Sequence, residues 1–413
     1  MLRSAPRIGV LGLATSSFHD PVREAGGRPV RLESPGAGPR GGVVLEREWV
    51  ADWFETFCSA RRLDGLLISL RSSTEELAGL LLAALRLDLP TVVTPQSERP
   101  FDMVPFALGL APLSEDPAAV AVEVARKGGP RPRKLVNEFS LAGALRAGLS
   151  CGGGPETVVH LSAIARESGT PGFSQMLRVL TPDTPLLVKP DSDWFREHGV
   201  PGLLSHLGDA IHDTVSVEGR VRETLPPAPP APPTPAVSRL VFVQGRASGT
   251  EAICRTFGEE EVSGECRVFD SGTEAARAVE ADSVVGGELL VVGGCGPRGG
   301  PGLLRLDLLA QTLHETGLEG SVAVVTDGLP SEAAQGTWIS LVSPEAAAGG
   351  VIGRLRDGDT LRIDLGEGRI RTGVQADEME RRDLYEFPDP AGAGYAARYA
   401  RSALPALEGA GFG

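Results

Sequence analysis

The chain has 413 residues, with 40 lysines and arginines against 54 aspartates and glutamates, so its formal net charge is −14. A field of this sign repels nucleic acids and anionic membrane surfaces, which excludes polyanion-binding functions. Because no apolar run reaches about 18 residues and the first residues lack a signal-peptide pattern, we expect a cytoplasmic protein without a membrane span.

Length and composition favour two folded domains. Hydrophobic residues make up 41% and charged residues 23% of the chain, which is typical of a globular protein, and the length is too great for one ordinary core. The five cysteines are scattered without a CxxC pair, so we expect reduced thiols and neither a zinc module nor a disulfide framework: Cys58, Cys151, Cys254, Cys266 and Cys295.

The first half alternates strand-like apolar runs with helical patterns, in the order RIGVLGL, REWVADWFETFCSARR, DGLLISL, ELAGLLLAALRL and PTVVTP. Such alternation of strand and crossover helix is typical of a parallel sheet flanked by helices. We therefore predict an α/β domain over residues 1–224.

A proline-rich stretch, residues 225–236, cannot be helix or inner strand and predicts a stiff linker. Strands dominate residues 237–380, interrupted by a helix over about 302–316 and a short helix after Ser343 and Pro344, so we predict a small β-barrel-like domain there. Residues 381–413 read as a helical tail that packs back on the body. The predicted fold class is thus α/β, with a parallel-sheet domain followed by a β-barrel-like one.

A first glycine turn, residues 151–154 in CGGGPETVVH, runs into a helix that Pro155 begins. Free backbone N–H groups and the positive helix end favour a carboxylate or phosphate ligand near Gly152, Gly153 and Gly154. Cys151 would there have a lowered pKa and thiolate character. The alternatives are that Cys151 fills the core and that His160 is a hydrogen-bonded packing residue, and for His160 we favour the latter.

A second glycine turn, residues 294–302, follows the strand ELLVV and repeats the same anion-binding pattern with Arg298, Gly299 and Gly300. It lacks the spacing of a P-loop or dinucleotide motif, so alone it is a weak signal. Downstream, VVTDGLPS ends a strand at a turn that presents Ser331. This serine could act as a base if a nearby Lewis acid or cation stabilised its alkoxide. The alternative is that Ser331 caps a helix over SEAAQ, which the residues alone favour.

These motifs occur in collinear order with VREAGGRPV, LLAALRLDLP, GVPGLLSHLGD, RVFDSGTEAARAV, VSPEAAAGG and GYAARYARSALPALEGA. In this order the chain resembles the dihydroxy-acid and phosphogluconate dehydratase family over nearly its whole length. The resemblance implies an α/β domain, a swivelling β-barrel-like domain and a homodimer. It also implies an iron–sulfur cluster that removes a hydroxyl, a Mg²⁺ ion that holds the substrate, and a serine alkoxide, here Ser331, that takes the C2 proton.

The sequence departs from this family pattern at the positions that carry the chemistry. Residues 72–75, SSTE, replace a run with a cluster cysteine, a metal-binding aspartate and a lysine, and residues 93–103 and 14–19 lack the other expected thiols. Arg305 stands where the resemblance implies a glutamate metal ligand, and residues 152–156 replace GGSTN. Since a [2Fe–2S] cluster takes four protein ligands, mostly thiolates, we expect no cluster, no Mg²⁺ and no metal site.

Two functions remain open. The first is a divergent lyase or isomerase that binds a small hydroxy acid or phosphorylated carboxylate between its domains without a cluster. Its catalytic candidates are Ser331, Cys151 and Asp327, and its ligand-binding candidates are Gly152, Gly153, Gly154, Arg298, Gly299, Gly300 and Arg305. The second is an inactive partner or regulatory subunit of another enzyme. A third, minor alternative is an unconventional cluster on Cys151 and Cys295.

Overall fold

The computed structural model describes residues 5–12, 15–36, 38, 41–69, 73–114, 116–233, 238–245, 249–384 and 394–413. Its first half is built on a four-stranded parallel sheet in the order β2-β1-β3-β4, with strands β1 Arg7–Gly12, β2 Arg28–Arg31, β3 Gly65–Ser69 and β4 Thr91–Val93. The register pairs Ile8 with Gly65 and Leu66 with Thr91. Strand β3 is buried along its first four residues, as expected for a parallel strand covered on both faces. The predicted α/β architecture is confirmed.

Helices and two short strands complete this half: α1 Thr15–Glu24, α2 Val43–Ser59, α3 Thr74–Leu87, α4 Val104–Ala107, α5 Pro117–Lys127, α6 Pro132–Leu135, α7 Glu138–Ser150, α8 Pro155–Ser168, α9 Phe173–Leu180, α10 Asp193–Leu207, β5 Val215–Ser216, β6 Gly219–Arg220 and α11 Val221–Thr224. Local sequence explains the boundaries of α3. The hydroxyl of Ser73 accepts the N–H of Glu76 at its start, and Asp88 ends it in the left-handed conformation.

The second half contains a closed eight-stranded barrel in the order β10-β11-β12-β8-β7-β14-β13-β9. Its strands and the accompanying helices are β7 Arg239–Gly245, β8 Glu251–Thr256, β9 Glu261–Phe269, α12 Gly272–Glu280, β10 Leu289–Val292, α13 Asp307–Glu315, β11 Ala323–Thr326, β12 Trp338–Ser343, β13 Thr360–Asp364, β14 Arg369–Thr372, α14 Ala376–Arg381 and α15 Tyr395–Ser402. Because successive side chains of a strand point to opposite faces, Val291 fills the barrel while Leu290 and Val292 pack outward against α12 and α13. The predicted barrel-like architecture is confirmed.

Two predicted helices differ from the structure. The helix expected over 302–316 begins only at Asp307, because Gly302 and Leu303 have positive φ angles and belong to a turn. Instead of a helix after Ser343 and Pro344, there are two 3₁₀ turns, Ala346–Ala348 and Val351–Arg354, separated by Gly349 with φ 83°. Ser343 caps neither of them, since its hydroxyl donates to the carbonyl of Leu341.

The proline-rich segment has no helix or strand over its described residues 225–233, but it lies against the first half rather than running free. The indole of Trp194 donates to the carbonyl of Pro230 at 2.9 Å, and Ser205 donates to Pro226 at 2.8 Å. The tail also packs back, since Arg47 donates to the carbonyl of Gly409 at 2.6 Å. No helix in these ranges is long and apolar enough to cross a membrane. The domain boundaries themselves stay a prediction.

Candidate functional site

A cavity of about 420 Å³ lies between the α/β half and the barrel half and brings two of the predicted motifs together. The α/β half contributes residues 151–157, which include the first glycine turn and the start of α8. The barrel half contributes residues 329–332, with Ser331, and the end of β8. Volume and position are those of a small-molecule site.

The first glycine turn is shaped by the meeting of α7 and α8. Gly152 has φ 92°, which favours glycine, and a Cβ on Gly153 would lie 2.7 Å from the carbonyl oxygen of Gly148. Gly154 is the N-cap of α8 and provides no side-chain cap. At its three glycines the turn therefore presents only backbone to the cavity.

Cys151 does not have the predicted thiolate character. It ends α7 instead of standing at the positive end of α8, and its side chain is 1% exposed within the core of the first half. Burial raises the pKa of its thiol to about 12. At neutral pH Cys151 is a neutral thiol in the cavity wall.

Sequence reasoning missed Arg255, a cavity residue at the end of β8. Its guanidinium donates to the carbonyl of Gly152 at 3.4 Å and lies 5.7 Å from the ring centre of Phe257. Arg255 has no ion pair within the described ranges, and burial lowers its pKa. The only sequence feature that could have pointed to Arg255 is a positively charged residue within the strand EAICRT, whose other residues are mostly buried. A single sequence does not show which cavity that strand faces.

The second glycine turn does not line this cavity, although the sequence predicts that Arg298, Gly299 and Gly300 bind a ligand between the domains. Its backbone N–H groups already bind an anion of the same chain. The carboxylate of Glu345 accepts from the N–H of Arg298 at 2.9 Å and of Gly299 at 3.1 Å. The anion-binding geometry is therefore present, but Glu345 satisfies it.

Asp327, which the sequence predicts as a catalytic residue, also lies outside the cavity lining. Its side chain is fully buried and accepts three backbone N–H groups, from Gly294 at 3.1 Å, Cys295 at 2.8 Å and Ala346 at 2.9 Å. Burial raises the pKa of the carboxyl. Asp327 joins the second glycine turn to the segment that carries Glu345, which is a structural role.

Arg305, predicted to bind ligand, is instead held by two carboxylates. It donates to Glu156 at 2.6 Å and to Glu75 at 2.8 Å, so it ties the barrel half to the first turns of α8 and α3. Both carboxylates raise the pKa of the guanidinium against the opposing effect of burial. Its charge is neutralised within the protein, and it does not line the cavity.

His160 is wholly buried and hydrogen-bonded on both ring nitrogens, which is the packing interpretation that we favoured. Nε2 lies 3.4 Å from Glu156, and Nδ1 lies 3.4 Å from a guanidinium nitrogen of Arg47. Burial lowers its pKa. The described contacts thus form a buried polar chain from Arg305 through Glu156 and His160 to Arg47.

Ser331 is half-buried in the cavity wall and stands in a turn, because residues 331–335 form no helix for it to cap. Among the described contacts its Oγ has one hydrogen bond, accepted from the N–H of Ala333 at 3.4 Å. No imidazole, amine or carboxylate therefore contacts this hydroxyl in the described ranges. Its neighbour Glu332 lines the same cavity, and burial raises the pKa of that carboxyl.

The donor set does not fit the iron–sulfur cluster or the Mg²⁺ ion that the resemblance implies. Cys151 and Cys295 belong to different apolar clusters, and Cys254 and Cys266 fill the barrel. The described ranges contain no group of three or more histidine, cysteine, aspartate or glutamate side chains placed to hold a metal ion. The alternative of a cluster on Cys151 and Cys295 gains no geometric support.

Comparison with known proteins agrees with the resemblance. Residues 229–410 match the family described as dihydroxy-acid/6-phosphogluconate dehydratase C-terminal. The dihydroxy-acid dehydratase of Citrifermentans bemidjiense is 32% identical over 304 residues, covering 68% of this chain and 55% of that protein. Dihydroxy-acid dehydratase 2 of Bordetella bronchiseptica is 33% identical over 352 residues, covering 75% and 61%. The chain thus spans little more than half the length of these two relatives. It also matches the dihydroxy-acid dehydratase of Geobacter metallireducens, at 28% identity and over 82% of that protein's length.

Proposed function

Because the chain belongs to the dihydroxy-acid and 6-phosphogluconate dehydratase family, we propose that it binds a small hydroxy acid or phosphorylated carboxylate in the cavity between its halves. We further propose that it performs a lyase or isomerase step there without an iron–sulfur cluster. The observation that carries the binding proposal is Arg255, a cavity-facing guanidinium without a carboxylate partner in the described ranges.

A buried cation without a counter-charge is costly, and an incoming anion offsets that cost. Arg255 already contacts the carbonyl of Gly152, so a carboxylate or phosphate at Arg255 would also lie beside the first glycine turn. Guanidinium binds such groups through two parallel N–H donors. Lys189 stands in the same wall and adds a second, exposed positive charge.

The proposed reaction must suit the residues that are present. Hydroxide is a poor leaving group without an electrophile, and no donor set for the family's metals lies in the described ranges. Elimination of phosphate or acetate transfers a carbon-bound proton to a base and expels the leaving group as an anion, so it needs a base and a cation that binds that anion. Arg255 is the candidate cation, and Ser331 is the candidate base if a carboxylate of the same cavity wall, such as Glu332, takes up its hydroxyl proton.

A second function, an inactive ligand-binding partner or regulatory subunit, is favoured by the surroundings of Ser331. Its hydroxyl contacts no general base in the described ranges, and the thiol of Cys151 is neutral at neutral pH. An unassisted serine hydroxyl does not remove a carbon-bound proton. We propose a homodimer under either function, since that is the family expectation.

The deciding experiment uses protein purified without oxygen. We expect iron, acid-labile sulfide and magnesium all well below one per chain, together with saturable calorimetric binding of gluconate or 6-phosphogluconate. Arg255→Gln should weaken this binding about tenfold or more, while the same change at the surface residue Arg196 should not. Stoichiometric iron and sulfide would overturn cluster independence, and equal binding by the Arg255 variant would overturn the site.

Catalysis is tested on the same preparation. The lyase or isomerase proposal expects a keto-acid product from a phosphorylated or acetylated hydroxy acid, lost in Ser331→Ala. Binding without any product, in the presence of all these compounds, would favour the inactive subunit instead.

A further inference from the structure

Two carboxylates converge on the guanidinium of Arg305, in the arrangement of a small cation site. Nη2 of Arg305 donates to Oε1 of Glu75 at 2.8 Å and to Oε2 of Glu156 at 2.6 Å, and Nε donates to the same oxygen of Glu156 at 3.1 Å. The side chains of Glu75 and Glu156 are only 10% and 11% exposed. Both carboxylates are therefore balanced by a neighbouring cation rather than by water.

The starts of two helices place these carboxylates. Glu75 is the second residue of α3 and Glu156 is the second residue of α8, and the two helices pack together. The N-terminus of a helix carries a partial positive charge, which favours the ionised form of a carboxylate in the first turn. The two helices thus present a pair of negative charges to one nitrogen of Arg305.

Arg305 reaches this pair from the barrel half on a fixed backbone. The backbone on either side of it pairs with Leu329 through hydrogen bonds of 2.9 Å and 3.0 Å. The other contact of Glu156 is His160, and burial lowers the pKa of that imidazole, so it is neutral at neutral pH. Among the contacts that the structure describes, Arg305 is therefore the one charged cation that touches either carboxylate.

The disagreement with the family pattern is centred on this contact. The resemblance implies a glutamate metal ligand at position 305, whereas this chain has a guanidinium there that lies between two carboxylates. We propose that Arg305 is a built-in cation that fills a carboxylate site otherwise open to a divalent metal ion. The cation that joins the starts of α3 and α8 therefore belongs to the chain itself and is present at any metal concentration.

The test removes the guanidinium and offers Mn²⁺, because electron paramagnetic resonance distinguishes the free ion from the bound one. Arg305→Ala should bind about one Mn²⁺ per chain with a Kd on the order of 0.1–1 mM, as weak carboxylate sites do, and wild type should bind none in this range. At ten times its Kd, Mn²⁺ should raise the unfolding temperature of the variant by about 2 °C and leave that of wild type unchanged.

Two further substitutions keep the test decisive if the alanine variant does not fold. Arg305→Gln removes the charge but fills more of the space, and it should also bind Mn²⁺. Arg305→Lys keeps a positive charge and should exclude the ion as wild type does.

Matched controls locate the bound ion. Adding Glu75→Gln and Glu156→Gln to the alanine variant should remove the Mn²⁺ site. Arg362→Ala, which frees the exposed Glu261, should not create one. Mn²⁺ binding by wild type that the two glutamine substitutions abolish would overturn the proposal, and so would folded, uncharged variants of Arg305 that bind no ion. These measurements involve no cavity ligand, so their failure leaves the proposed binding function to its own test.

Discussion

The first and second glycine turns look alike in sequence, yet they differ in what faces their backbone. Both follow a regular element and both are rich in glycine. The first lies in the wall of a cavity with Arg255, whereas the second binds Glu345 of the same chain. An anion-binding turn becomes a ligand site only when the fold leaves it without an anion of its own.

Arg305 extends the comparison, because it is a cation that the protein has neutralised, unlike Arg255. Replacing Arg305 with Ala leaves Glu75 and Glu156 as close carboxylates without their counter-ion, so we expect unfolding free energy to fall by about 2–4 kcal/mol. Chemical denaturation measures this loss. Adding Glu75→Gln and Glu156→Gln should recover part of it.

The surface pair of Arg362 and Glu261 gives the matched control, and Arg362→Ala should change the denaturation midpoint little. Equal effects of the two arginine substitutions would show that Arg305 is not a buried counter-ion. Undiminished stability of Arg305→Ala would equally mean that its two ion pairs are not formed in solution.

The internal anion of the second glycine turn should make stability depend on pH. Burial raises the pKa of Glu345 to about 7 from an ordinary 4.5. The folded state thus holds this proton more tightly than the unfolded chain does, so ionising Glu345 costs stability as pH rises from about 4.5 through 7, even though the ionised carboxylate keeps its hydrogen bonds to the turn. We expect wild type to lose about 2–3 kcal/mol across this range relative to Glu345→Gln.

Denaturation at several pH values measures that difference, and the subtraction cancels groups that titrate alike in both proteins, whereas Asp327, which acts on the pKa of Glu345, does not cancel fully. A constant difference between wild type and Glu345→Gln would show that the pKa of Glu345 is not raised. A difference that grows in the opposite direction would mean that the turn stabilises the ionised carboxylate.

Adding one methyl group to each turn sharpens the contrast. A Cβ on Gly296 would lie 2.4 Å from a carboxylate oxygen of Glu345, whereas a Cβ on Gly154 would lie 3.9 Å from its nearest neighbour, a guanidinium nitrogen of Arg255. We expect Gly296→Ala to cost about 1–2 kcal/mol of stability through overpacking. Gly154→Ala should cost less than about 1 kcal/mol, the loss of glycine at an N-cap. Equal thermal shifts would contradict the difference between the turns.

These contrasts also show what the sequence could predict. Alternating strands and helices predicted the parallel sheet, and Gly152 to Pro155 predicted a turn with its backbone at a site, because these features are local. The partners of Arg305 and of the second glycine turn come from residues tens to hundreds of positions away. Pairings of that kind depend on tertiary packing, which leaves no periodicity in one sequence.

Arg255 was missed for the same reason. In strand β8 it lies between the buried residues Cys254 and Thr256, so nothing in the sequence distinguishes it from other strand residues. Only the closure of the barrel against α7 and α8 places its guanidinium by Gly152. The expected thiolate of Cys151 failed because the helix end beside it is that of α7, not the positive end of α8.

The smallest predicted effect concerns Lys189, the exposed cation at the same cavity. Because water and salt screen an exposed amine, Lys189→Gln should weaken binding of gluconate only about twofold at low salt, and this difference should vanish at high ionic strength. The loss in Arg255→Gln should persist in salt, since the buried guanidinium is screened far less. Calorimetric titrations at two salt concentrations separate the cases. If both variants lost their effect in salt, Arg255 would act as a surface charge and the cavity would lack the buried anchor that distinguishes the first glycine turn from the second.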